Sequence, residues 1–74
     1  MTVDGPTWVT RYSEMLGVTS PSETEMEALL ALAGVAAHAS ERTSAPVSCW
    51  LAARANKSPD EALAAAERLA GSIE

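Results

Sequence analysis

The segment Ala28–Pro46 reads ALLALAGVAAHASERTSAP. Its first ten residues, Ala28 to Ala37, are all apolar or glycine, and His38, Glu41 and Arg42 then follow within five positions. A helix that is apolar on every side is normally enclosed by other elements. The stretch therefore predicts a central helix with the rest of the chain packed around it. The apolar run falls well short of the about 20 residues needed to span a bilayer, so no membrane segment is expected.

Working toward the N-terminus, Ser20-Pro21-Ser22-Glu23 announces the start of this helix. Ser20 with Glu23 and Ser22 with Glu25 each satisfy the capping-box spacing, which leaves the boundary open between them. Glu23, Glu25 and Glu27 lie near the positive end of the helix dipole and need no ligand to explain them. Met26, Leu29, Leu30, Ala33 and Ala37 mark one face and Ala28, Leu32, Val35 and Ala39 another. Gly34 is expected to permit close approach of a neighbouring backbone, with a local bend as the alternative. Farther upstream, Pro6 or Thr7 opens a first helix in which Trp8, Val9, Tyr12, Met15 and Leu16 form one apolar stripe, with Trp8 and Tyr12 expected to be core or groove-lining residues. Gly17 is its stop, and Met1 to Gly5 is a polar lead-in.

Toward the C-terminus, Thr43-Ser44-Ala45-Pro46 starts a third helix. The residue before proline is biased away from helix, which reinforces a break there. Val47, Trp50, Leu51 and Ala55 are expected to face the core. Ser58-Pro59-Asp60-Glu61 repeats the cap, proline and glutamate of the second helix, and Leu63, Ala66, Leu69, Ala70 and Ile73 follow at helical spacing. The whole chain, 1–74, reads as a single all-α domain. It is expected to be a compact four-helix bundle with a largely buried second helix and helices near 6–17, 21–41, 44–56 and 59–73.

Composition narrows the function. The chain has 74 residues, 47% of them hydrophobic, no Phe, and only Trp8, Tyr12 and Trp50 as aromatics. Much of the apolar content is Ala, which favours helix and supplies little bulk around an enclosed substrate cavity. A net charge of −5 with scattered basic residues argues against nucleic-acid binding, which needs a basic stripe. The single cysteine, Cys49, excludes an internal disulfide and gives no metal-ligand spacing; it is expected to be a buried, inert thiol. MTVDGPTW shows no basic n-region or apolar h-region, so a cytoplasmic location is the expectation.

The one constellation with chemistry in it is His38, Glu41 and Arg42. On a helix, positions i, i+3 and i+4 share a face, so imidazole, carboxylate and guanidinium can meet. Such a set serves three ends. It can tie a helix end to the following turn through charge-assisted hydrogen bonds, contact a protein partner, or grip an anionic group with His38 placed for proton transfer. The first reading is preferred, and no catalytic residue is assigned.

The segment LLALAGVAAHASERTSAPVSCWLAARA, with WVTRYSEMLGV before it and SPDEALAAAERLA after it, resembles a small bacterial domain family of unknown function. The shared pattern is a Trp-bearing first helix, an A-H-x-x-E-R-x-x-A-P centre on His38, Glu41, Arg42, Ala45 and Pro46, and a closing S-P-x-E-A helix. Members occur alone or fused to nucleotidyltransferases of the molybdenum-cofactor guanylyltransferase type. The resemblance implies association with the biosynthesis of molybdopterin-guanine dinucleotide, and the expected role there is a non-catalytic accessory or interaction module. Its expected protein partner is the nucleotidyltransferase or a related enzyme. Nucleotidyl transfer by this chain itself is not implied, because it has no Gly-rich nucleotide loop following a strand. His38, Glu41, Arg42 and Trp50 are the expected binding residues, with no metal and no cofactor, and a homodimer would cover surplus apolar surface. The alternative is a small anion-binding or catalytic protein that uses His38, Glu41 and Arg42.

Overall fold

The computed structural model describes residues 2–73; Met1 of the polar lead-in lies outside them. Four helices follow in order: α1 Gly5–Leu16, α2 Glu23–Ala39, α3 Ser44–Arg54 and α4 Pro59–Ile73. The all-α four-helix architecture is the one expected, and α2 is its centre. Both α3 and α4 pack on α2, whereas α1 touches the rest only lightly. The core is small: Ala28 and Leu32 of α2 and Ala62 of α4 are the buried hydrophobic residues.

Local chemistry sets the helix boundaries. Asp4 caps α1, its Oδ1 accepting from Thr7 N–H at 2.8 Å, so the helix opens at Gly5, ahead of the expected Pro6 or Thr7. Gly17 ends it at φ 73°. There Gly17 N–H donates to Glu14 O and Val18 N–H to Ser13 O, the paired bonds of a left-handed glycine stop. For α2, the capping box belongs to Ser22 and Glu25. Ser22 Oγ accepts from Glu25 N–H at 3.2 Å and Glu25 Oε1 accepts from Ser22 N–H at 2.8 Å. The same reciprocal pair joins Ser58 and Glu61 at the start of α4. Just past the end of α3 and its cap residue Ala55, Asn56 turns the chain at φ 57°, with Lys57 N–H donating to Ala52 O; Asn is among the non-glycine residues best suited to that conformation.

Three expectations are corrected. First, the α1 stripe does not face the core: Trp8, Tyr12, Met15 and Leu16 are 49–82% exposed. The side of α1 that is covered presents the half-buried Val9 and the buried Ser13, whose hydroxyl donates to Val9 O at 2.7 Å. Second, a Cβ built on Gly34 meets nothing within 4 Å, so no neighbouring backbone depends on this glycine. Third, Val47, Trp50 and Leu51 are more than half exposed and Ala55 is exposed with them, because α3 packs mainly on α2.

Candidate functional site

The polar cluster is divided by the end of α2. His38 is the last basic residue inside the helix, which stops at Ala39 with Ser40 as C-cap. Ser40 has φ −138° and ψ −104°, a non-helical geometry that turns the chain before Glu41. The i, i+3, i+4 alignment therefore does not form. Glu41 and Arg42 sit in the connecting turn, where Ser44 N–H donates to Glu41 O and Ala45 N–H to Arg42 O. All three side chains are exposed, and among the described residues they share no hydrogen bond with one another.

What links α2 to α3 is hydroxyl chemistry that sequence reading did not single out. Ser44 Oγ donates to Ser40 Oγ at 3.2 Å, and Thr43 Oγ1 donates to Glu41 Oε2 at 3.4 Å. The Ser40 to Ser44 spacing of four was available as a signal, but it requires knowing that the helix breaks between them. Arg42 contributes its backbone carbonyl to this turn, and its guanidinium stays in solvent.

His38 has a different setting. It stands with Gly34, Val35, Ala39 and Ala70 around a shallow hollow between α2 and α4. Val35, Ala39 and Ala70 also line a second hollow, of about 240 Å³, that continues to Ser48 of α3 and to Leu69 and Ile73 of α4. Together they make one groove along the three packed helices, apolar on its α2 and α4 sides, with Ser40, Ser44 and Ser48 along its α3 side and His38 at its rim. Leu69 and Ile73, one turn apart on α4, are 63% and 66% exposed. They extend the apolar α4 side of the groove into solvent.

Trp50 lies apart from this groove. The Arg54 guanidinium sits 4.9 Å from the centroid of its ring, an i, i+4 cation–π pair on the outside of α3 whose value at such an exposed site is about 0.5–1 kcal/mol. Cys49, next to it, is half-buried, and burial pushes its thiol above the ordinary cysteine range. Less thiolate at neutral pH means a weaker nucleophile, which fits a packing role. Among the described residues no group of three or more His, Cys, Asp and Glu side chains could hold a metal ion. No helix among them is long and apolar enough to cross a membrane.

Comparison with curated proteins and with solved structures gives no match. One family model does match, a domain of unknown function designated DUF6457, and it runs over residues 3–74. That span takes in every element just described, from the start of α1 through the apolar groove to the end of α4, and the chain therefore belongs to the DUF6457 family.

Proposed function

We propose that this domain is a non-catalytic accessory module that docks on a protein partner in molybdenum-cofactor biosynthesis in the cytoplasm. The observation that carries the docking part is the open apolar groove between α2, α3 and α4, flanked by exposed Leu69 and Ile73. An amphipathic partner helix laid along it would remove both side chains from water. His38 supplies a polar edge to the groove, and Glu41 and Arg42 in the adjoining turn supply charge near one end, the apolar centre and polar rim usual for a protein contact. The pathway rests on the resemblance of the A-H-x-x-E-R-x-x-A-P segment to domains fused to molybdenum-cofactor nucleotidyltransferases, which is an argument by association.

The test is a titration of the labelled chain with a molybdenum-cofactor guanylyltransferase and, separately, with guanine nucleotides and molybdopterin. Saturable binding to the transferase is expected, with loss in Leu69→Glu and Ile73→Glu variants whose helical circular dichroism is unchanged. No binding to the transferase removes the pathway. Binding that survives both variants removes the groove. Nucleotide or molybdopterin binding lost in His38→Ala would instead favour an anion-binding protein.

A further inference from the structure

The outward stripe of α1 is a separate surface from the groove. Trp8, Tyr12 and Met15 recur at i, i+4 and i+7 and are 59%, 49% and 82% exposed. The Trp8 and Tyr12 rings stack at 5.9 Å with 19° between their planes, which joins them into one aromatic surface. Beside it, Val3, Asp4, Arg11 and Met15 help to line an open hollow of about 750 Å³. An amphipathic helix that presents its aromatic side to water, while its small inner face makes only light contact, lacks a partner for its larger face.

From these features we infer that the Trp8–Tyr12 face of α1 is a two-fold dimer interface, and that a second copy of this chain covers it. Area is the first reason. The chain exposes 5894 Å², whereas a compact monomer of 7.7 kDa exposes about 4,300 Å². The surplus is about twice the 800 Å² that each partner gives to a standard-size interface. The radius of gyration agrees, at 13.1 Å against about 11 Å for a compact domain of this length.

Charge complementarity is the second reason. The chain as a whole carries −5, so two copies repel over most orientations. Asp4 and Arg11 give this patch one charge of each sign, and they lie two helical turns apart, about 10 Å along the axis. An isologous contact pairs residue i with j and j with i. Antiparallel α1 helices related by a two-fold near Trp8 place each Arg11 opposite the other copy's Asp4. The same register puts Trp8 at the centre, where a large aromatic residue contributes most, and packs Val3 of each copy toward Tyr12 of the other. The groove flanked by Leu69 and Ile73 stays open in this arrangement, so dimerisation does not depend on the pathway proposal.

Analytical ultracentrifugation of the full chain over a concentration series decides the matter. A reversible dimer of twice 7.7 kDa is expected. Trp8→Ala should raise its dissociation constant at least about tenfold, and Arg11→Glu should also weaken it, while Leu69→Glu leaves it unchanged. Circular dichroism of each variant, expected to match the parent because all three side chains are exposed, separates loss of the interface from loss of fold. A parent that stays monomeric at about 100 μM, where even a contact of micromolar affinity is saturated, overturns the proposal. A dimer that ignores Trp8→Ala and responds to Leu69→Glu overturns it as well.

Discussion

At the scale of the single residue, Gly34 shows how a sequence signal can point to the wrong cause. A glycine inside a helix costs about 1 kcal/mol relative to alanine, so its presence invites a packing explanation. None is needed here, since the space around its Cα is open. Gly34→Ala should therefore stabilise the protein by about 0.5–1 kcal/mol through the lower entropy of the unfolded chain. Its melting temperature should rise; a fall would mean that a neighbour approaches closely after all. Gly17 is the opposite case. At φ 73° its left-handed conformation is one that an alanine reaches only at a cost, and the stop of α1 depends on it.

At the scale of the element, the helix starts were legible, as was the α2 face of Ala28 and Leu32 that forms the core, whereas the outward faces of α1 and α3 were not. Ser22–Glu25 and Ser58–Glu61 could be read because a capping box is a local rule with fixed spacing. The end of α2 was harder to place. Ala39, Ser40 and Glu41 carry no glycine or proline, and the break comes from the Ser40 backbone and the turn bonds behind it. That misplaced end is what made His38, Glu41 and Arg42 look like one face. For α1, periodicity located the apolar stripe correctly, but a period cannot say whether the cover is this chain's own core, a second copy or water.

The caps also make a prediction about acid. The Ser58 N–H and hydroxyl hydrogen bonds hold the Glu61 carboxyl below its ordinary value, with Lys57 adding to the effect, and the Thr7 bonds do the same for Asp4. A carboxylate depressed in the folded state adds stability above its unfolded pKa, and that stability is lost as pH falls through the folded value. Melting temperature should accordingly decline as pH drops below the ordinary glutamate value of 4.5. The decline should be shallower in Glu61→Gln, which keeps a cap acceptor and does not titrate. Ser58→Ala at neutral pH should cost about 0.5–2 kcal/mol as the Glu61 N–H loses its partner. If neither variant alters the melt, α4 is held by packing alone.

At the scale of the whole molecule, the ratio of core to surface governs behaviour. Leu32, 3% exposed, is the one large side chain among the buried hydrophobic residues, beside Ala28 and Ala62 at 6% each. It lies on α2, the helix against which both α3 and α4 pack. A domain of this size rarely holds more than about 3–5 kcal/mol. Truncating a buried leucine removes about 2–5 kcal/mol, because transfer energy is lost and a cavity remains. Leu32→Ala should therefore consume most of the stability and turn a cooperative thermal melt into a broad, featureless one. Leu30, on the same helix but 66% exposed, is the control. Leu30→Ala changes a solvated position and should stay within about 0.5 kcal/mol of the parent. Equal losses at the two positions would mean that Leu30 also has a cover, and would place a partner on the outer face of α2.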